Sequence, residues 1–221
     1  MQNRLHPMRL CAITDRRRLS TVAQSEAVLR RRLLDLVQNW TAGGVHFIQL
    51  REKDLSAPDL QSLAGEMAEK IDHSRSKLLV NLSTAESAAL AVAAGADGVH
   101  LAGKPVPGAA WKVRQIFGAA RRDAIISIPC HGLDDIHVAR KEQVDLILFS
   151  PIFEKLEAPE VAPQGLEALR QACAEAEGIP VFALGGVTSF NAQDCLTAGA
   201  AGVAGIRLFA LEDWRRLLPA N

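Results

Sequence analysis

The feature that most constrains this 221-residue chain is a recurring segment in which a helix ends at glycine and a buried strand follows. Glycine ends a helix at little cost because it tolerates the left-handed backbone conformation. A helix that passes directly into a short apolar strand is typical of parallel α/β sheets. The repeat therefore predicts a chain built of successive βα units. Its copies are Ala42-Gly43-Gly44-Val45, Ala94-Gly95-Ala96-Asp97-Gly98-Val99 and Ala198-Gly199-Ala200-Ala201-Gly202-Val203.

Apolar runs alternate with helical patterns along the whole chain. Eight units of ~28 residues each, without a linker, predict an α/β fold in which residues 1–221 form one (β/α)8 TIM-barrel domain. An open doubly wound sheet is the alternative, and the lack of G-x-G-x-x-G after the first strand counts against it. The predicted strands are 9–14, 45–50, 77–81, 98–101, 124–128, 144–149, 180–184 and 202–205. The predicted helices include 22–42, 109–117 and 133–142, and N-caps are expected at Ser56, Ser83 and Thr188.

Composition excludes several classes of function. Lys and Arg number 25, as do Asp and Glu, so we expect no nucleic-acid partner and no membrane partner. Four scattered cysteines without C-x-x-C spacing favour reduced thiols in the cytoplasm over disulfides or zinc. The apolar run 8–14 is too short for a signal peptide, and no stretch is long enough to span a bilayer. The basic cluster Arg16–Arg18 is expected to be a solvated loop.

The segment 179–209 predicts a site for a phosphate monoester. Gly185 and Gly186 follow the seventh strand, and Ile206 and Arg207 begin the last helix after the eighth. Bare backbone amides and a helix N-terminus both favour an anion, and barrels of this class bind phosphate after strands seven and eight. The alternative is that the two glycines serve only a tight turn.

Polar residues follow most of the other strands, at the end of a barrel where function resides. These residues suit a small anionic ligand. They are Asp15, Gln49, Arg51, Lys53, Asn81, His100, Ser127, His131 and 150–155.

Several motifs resemble the thiamine-phosphate synthase and TenI superfamily over nearly the whole chain. They are ITD at 13–15, QLREKD at 49–54, VN at 80–81, AAGADGVHL at 93–101, SxxxH at 127–131, FSPIFE at 149–154, QGLEAL at 164–169 and ALGGV at 183–187. The resemblance implies two chemistries. A synthase joins a pyrimidine diphosphate to a thiazole phosphate and releases pyrophosphate with the help of Mg²⁺. A TenI-type protein binds thiazole phosphate, and some members aromatise it by moving a proton.

The chain departs from the synthase pattern where the metal would be bound. The pattern has Asn-Asp after strand three, whereas this chain has Asn81-Leu82. It has an acid shortly after the His-Leu of strand four, whereas this chain has Ala102-Gly103-Lys104-Pro105. In the loop 153–158, Lys155 and Glu157 stand where the pattern has hydroxyls and Ala158 stands where it has Lys, and acids in and beside this loop would repel pyrophosphate. We therefore expect no metal and no cofactor, with Mg²⁺ required only if the chain is a synthase after all.

The leading expectation is accordingly a metal-independent, TenI-like thiazole tautomerase of thiamine biosynthesis that binds thiazole phosphate, with a homodimer allowed. His131 is the expected catalytic base because a histidine takes and returns a proton near neutral pH. The expected phosphate-binding residues are Gly185, Gly186, Ile206 and Arg207. The expected substrate-binding residues are Gln49, Arg51, Lys53, Asn81, Ser127 and Lys155. For Arg51 and Lys53 the alternative is an ion pair with Glu52 or Asp54.

Three other functions remain open. The first is a divergent thiamine-phosphate synthase that uses other magnesium ligands. The second is a non-catalytic binder of thiazole phosphate or thiamine phosphate. The third is a Schiff-base aldolase that uses Lys53 at a strand end, although no feature of the sequence specifically requires it.

Overall fold

Eight short parallel strands close into one barrel in the order of the chain, with the first strand paired to both the second and the eighth. The computed structural model describes residues 8–20, 22–104, 106–154 and 159–218. Helices alternate with the strands, so the (β/α)8 fold is confirmed and the open doubly wound sheet is wrong. Within those ranges, no helix is both long enough and apolar enough to cross a bilayer.

The strands are short and most lie within one or two residues of their predicted bounds. They are β1 Arg9–Ile13, β2 Phe47–Leu50, β3 Lys77–Leu82, β4 Gly98–Leu101, β5 Ile125–Cys130, β6 Leu146–Phe149, β7 Val181–Ala183 and β8 Gly202–Gly205. The helices are α1 Glu26–Ala42, α2 Ala57–Lys70, α3 Ala88–Ala93, α4 Ala109–Ala119, α5 Leu133–Lys141, α6 Gly165–Glu175, α7 Ala192–Thr197 and α8 Arg207–Ala210.

Capping residues show where local sequence decided a helix start and where it did not. Ser56 caps α2 as predicted, because its side chain accepts a hydrogen bond from the amide of Asp59. The cap predicted at Ser83 is wrong, since a short 3-10 turn over Ala85–Ser87 precedes α3 and lacks a side-chain cap. The cap predicted at Thr188 is also wrong, because its hydroxyl bonds the amide of Phe190 and α7 begins only at Ala192.

Two apolar layers hold the barrel together. Inward-facing side chains fill its interior, and the larger layer lies between the strands and the helices. Successive residues of a strand face opposite sides, so Cys11 lies in the interior layer while Leu10 and Ala12 lie in the outer one. Interior members are Cys11, Ile13, Leu79, Leu146, Leu148, Phe182 and Ala204.

In two of the three copies of the repeat, the second glycine is required by close strand packing, whereas a Cβ atom at Gly44 would have no described atom within 4 Å. A Cβ atom at Gly98 would lie 1.9 Å from the carbonyl oxygen of Ile125 on β5. A Cβ atom at Gly202 would lie 2.0 Å from the carbonyl oxygen of Arg9 on β1. Any larger residue would push these strands apart. In these two copies the glycine is therefore required for packing of the closed barrel, in addition to the glycine that ends the helix.

Candidate active site

A cavity of about 460 Å³ opens where the strands end, and most of the predicted site residues line it. Parallel strands bring their carboxyl ends to one rim, which is why residues far apart in sequence meet there. A larger cavity of about 540 Å³ lies beside α4 and Trp111, away from most of these residues. The predicted residues lining the rim cavity are Gln49, Arg51, Lys53, Asn81, His131, Gly185, Gly186, Ile206 and Arg207.

One predicted residue, Ser127, lies behind that wall. Ser127 is fully buried, and its hydroxyl lies 3.0 Å from Nδ1 of His100. Its position makes Ser127 a partner of His100 and not a lining residue. Lys155 lies outside the described residues.

An amide pair lies on the side of the cavity formed by β2 and β3. Gln49 Nε2 donates to Asn81 Oδ1 at 3.0 Å, and this bond assigns the orientation of both amides. Gln49 is only 2% exposed, and its Oε1 is buried without a partner within the described part of the chain. A buried acceptor without a hydrogen bond costs free energy, so a ligand N–H or O–H at this point would be stabilised.

His100 is a neutral imidazole in the cavity wall. Burial, and second the nearby charge of Arg51, lower its pKa to about 3 from the ordinary 6.5. A group of this kind contributes a hydrogen bond and shape but no positive charge at neutral pH. His100, one of the polar residues predicted at the strand ends, is buried in the packing and also lines the cavity wall.

The hydrogen bonds of His131 select its tautomer. The carbonyl oxygen of Ser150 lies 2.7 Å from His131 Nδ1, and a carbonyl can only accept, so Nδ1 carries the proton. Nε2 is then the nitrogen available to a ligand. The backbone amide of His131 donates to Asp135 at 2.7 Å, which ties the residue to the first turn of α5. The ring is therefore held through Nδ1, and the backbone of the residue is held through its amide.

The glycine-lined end of the cavity is shaped by the loop after β6. Phe153 donates its amide to the carbonyl of Gly185 at 2.9 Å. A Cβ atom at Gly186 would lie 2.5 Å from the carbonyl oxygen of Glu154, so glycine is required for this approach. Both Gly185 and Gly186 have positive φ angles. The two glycines thus form the predicted tight turn in the cavity wall, and phosphate binding there stays a prediction. The helix α8 has only four residues, so its dipole adds little.

The charged loop 51–54 separates its basic residues from its acidic ones. Arg51 and Lys53 line the cavity. Glu52 and Asp54 instead pair with Arg16, at 2.9 and 2.7 Å. No ion pair joins the two basic residues to these two acids among the described side chains, so the predicted alternative is wrong.

Sequence reasoning missed two charged residues near this rim, Arg16 and Arg18, whereas Asp15 was predicted to follow the first strand there. Arg16 was expected in a solvated loop, but its side chain is only 3% exposed. Asp15 and Arg18 line the cavity and pair with each other at 2.8 Å. The alternating charges at 51–54 could have indicated Arg16, because two acids beside the cavity-lining basic residues need a cation from another part of the chain.

The described side chains do not fit a magnesium site. They contain no group of three or more His, Cys, Asp or Glu that could hold a metal ion. Leu82, which follows Asn81, is 4% exposed and packs in the outer core. Among the described residues, Asp15 is the one carboxylate in the cavity wall, and Arg18 already binds it. Magnesium takes oxygen ligands, usually one or two carboxylates, and this wall offers none that is unpaired.

Comparison with known proteins adds a family relationship over most of the chain. The family model described as "Thiamine monophosphate synthase" matches residues 19–209. A putative thiamine-phosphate synthase of Geobacter sulfurreducens is 40% identical over 175 residues, which cover 79% of this chain and 78% of the relative. A putative thiamine-phosphate synthase 2 of Aquifex aeolicus is 35% identical over 201 residues, covering 91% of this chain and 97% of the relative.

Solved structures agree with these relatives. A thiamine phosphate pyrophosphorylase from Pyrococcus furiosus superimposes with a TM-score of 0.71 at 25% identity, covering 97% of this chain and 94% of that one. A 3-hexulose-6-phosphate synthase superimposes with a TM-score of 0.65 at 17% identity, and that likeness concerns the barrel fold alone.

These relatives overturn the expected tautomerase. Their names are those of synthases, and none of those described above indicates the TenI branch. The expectation rested on three departures from the synthase pattern, namely acids missing at two motif positions and the changed loop 153–158. A missing carboxylate removes a metal ligand, but it does not identify the reaction that the remaining cavity performs.

Proposed function

The chain belongs to the thiamine monophosphate synthase family, and from this premise we propose that it is a thiamine-phosphate synthase. The ring nitrogen of a thiazole phosphate attacks the methylene carbon of a pyrimidine diphosphate. A carbon–nitrogen bond forms, the carbon–oxygen bond to the diphosphate breaks, and pyrophosphate leaves with the bonding electrons. The observation that carries the proposal is that one rim cavity contains both a basic loop and a glycine-lined end. It occurs in a chain that has synthase relatives along most of its length.

The glycine-lined end is proposed to hold the phosphate of the thiazole. Gly185 and Gly186 bring backbone close to the cavity, and Ile206 and Arg207 also line it. Backbone amides suit phosphate oxygens because they donate without the entropy cost of ordering a long side chain.

The basic loop is proposed to hold the diphosphate. Arg51 and Lys53 line the cavity, while the acids of the same loop bind Arg16. Negative charge develops on the leaving oxygen as the carbon–oxygen bond breaks, and cations positioned in advance stabilise that charge. The described residues do not fit a metal, so this stabilisation is assigned to Arg51 and Lys53 and not to Mg²⁺. Lys155 stays a prediction for the loop after β6.

The amides and the imidazole are proposed to orient the two rings. Gln49 Oε1 needs a donor, and an amino group on a heterocycle would supply one. The condensation removes no carbon-bound proton, so His131 is assigned a binding role through Nε2 and not the role of a base. Ser127 acts through His100.

Other predictions from the sequence remain proposals. The four cysteines are free thiols, which fits a reducing compartment such as the cytoplasm. A single domain over residues 1–221 and a homodimer both stay predictions.

A direct test supplies both substrates and follows two products. The proposal expects thiamine phosphate and pyrophosphate in equal amounts, with no thiamine phosphate when either substrate is omitted. Arg51→Gln is the matched variant, and it should reduce kcat/KM by about tenfold or more because it removes a cation near the leaving group. A folded protein that binds thiazole phosphate yet forms no thiamine phosphate, with or without Mg²⁺, would contradict the proposal and identify a binder.

A further inference from the structure

Arg16 is the centre of the most highly connected ion cluster in the described chain. It follows β1, in a 3-10 turn over Arg16–Leu19, and its side chain is almost fully buried. All five guanidinium N–H groups have carboxylate acceptors. Nε and Nη2 bind Glu26, Nη1 binds Glu52 and Asp54, and Nη2 also binds Asp54, all at 2.7 to 2.9 Å.

The cluster ties the loop after β2 to the end of β1. The backbone amide of Arg16 donates to both carboxylate oxygens of Glu52, at 3.0 and 3.2 Å. The Glu52 side chain is itself only 2% exposed. The backbone amide of Arg51 donates to the hydroxyl of Thr14 at 2.9 Å. Residues 51 and 52 are therefore anchored to residues 14 and 16.

The order of charges explains what this anchoring does. In the loop Arg51-Glu52-Lys53-Asp54, the two acids bind Arg16 and the two basic residues line the cavity. Without a competing cation, acids one residue away from Arg51 and Lys53 would pair with them or repel an anion. Arg16 is the buried side chain that binds both acids, and the exposed Arg17 adds a second contact to Asp54 at 2.8 Å.

We propose that Arg16 is a positioning residue for the anion site. It binds Glu52 and Asp54, and so leaves Arg51 and Lys53 as the charges that the loop presents to a phosphate or diphosphate. Arg16 touches no ligand itself. The inference rests on the proposed function for the identity of the anion.

The geometry of Arg16 makes the conservative replacement informative. A lysine would keep the charge, but its ammonium has three donors and no planar fork, so it cannot serve three carboxylates in this arrangement. Arg30 offers a matched control. It also joins α1 to α2, by bonds to Glu66 at 2.7 and 3.0 Å and to Ser62 at 2.8 Å, and it is not among the residues that line the rim cavity.

The test measures binding of inorganic pyrophosphate by calorimetry, in low salt with EDTA. Arg16→Met should weaken binding at least tenfold and Arg16→Lys about threefold to tenfold, whereas Arg30→Met should stay within twofold of the parent. The triple variant Arg16→Met, Glu52→Gln, Asp54→Asn removes the acids along with their partner. It should restore the affinity to within threefold, a recovery that loss of structural support alone would not produce.

Two results would overturn the inference: an Arg16→Met protein that binds pyrophosphate as the parent does, or a folded triple variant that stays as weak as Arg16→Met. If Arg16→Met does not fold, the same comparison of pyrophosphate affinity is made between the parent, Arg16→Lys and the triple variant. Condensation is assayed separately. Unchanged binding in Arg16→Met with an active parent refutes the inference alone, whereas weakened binding with an inactive parent refutes the proposed function alone.

Discussion

Replacing Gly186 with alanine should open the phosphate end of the cavity by displacing the loop after β6. The new Cβ atom would lie 2.5 Å from the carbonyl oxygen of Glu154 and 2.6 Å from Cβ of Phe153. Ordinary carbon contacts are about 3.5–4.0 Å, so the loop must move by about 1 Å. Such a shift strains the hydrogen bond from the Phe153 amide to the Gly185 carbonyl, which is 2.9 Å long.

The magnitude follows from three terms. A left-handed backbone costs a residue with a Cβ about 1–2 kcal/mol, and Gly186 has a φ of +68°. Overpacking adds about 1–3 kcal/mol. Loss of the loop hydrogen bond adds about 1 kcal/mol. The free energy of unfolding should therefore fall by roughly 3–6 kcal/mol.

Gly103→Ala is the matched control, because Gly103 lines the same cavity and has a φ of +85°. No described atom lies within 4 Å of the position that its Cβ would take. It should show only the backbone term, so the two variants should differ by about 2–4 kcal/mol. For a chain of this size that is roughly 4–16 °C in Tm by calorimetry. Gly186→Ala should also weaken thiazole phosphate binding more than Gly103→Ala does. Equal losses of stability in the two variants would refute the steric argument.

Three further predictions concern charge and the imidazoles. Because burial lowers the pKa of His100 to about 3 from 6.5, the unfolded chain binds more protons between these values and stability rises with pH. This group alone should reduce the free energy of unfolding by about 2 kcal/mol between pH 7 and pH 5, and urea titrations of His100→Asn should lack that part of the slope. Pyrophosphate should bind in EDTA with an affinity within threefold of that in Mg²⁺, because the described cavity wall has basic side chains but no unpaired carboxylate. A loss of affinity above a hundredfold in EDTA would show that a metal site exists. His131→Asn should keep at least about a tenth of kcat, since the condensation needs no base, whereas a fall of a thousandfold would show that His131 takes part in the chemistry.

The sequence by itself determined the barrel and most of the residues around its rim. Gly98–Leu101 and Gly202–Gly205 were predicted with the bounds that the structure has, because apolar runs between breakers encode buried strands locally. The periodicity of βα units then implied that all strand ends meet at one rim. Gln49, Arg51 and Asn81 could therefore be assigned to one cavity before any contact was known.

Only the tertiary structure decided the role of Arg16 and the separation of charges in the loop 51–54. The carboxylates of Glu52 and Asp54 are 36 and 38 residues away in sequence and reach Arg16 only because β1 and β2 pair side by side. The helix start at Thr188 was mispredicted for a similar reason, since its hydroxyl accepts from the amide of Phe190 in the folded chain. A local pattern specifies which groups reach the rim, whereas the partner of each charge depends on which strands become neighbours when the barrel closes.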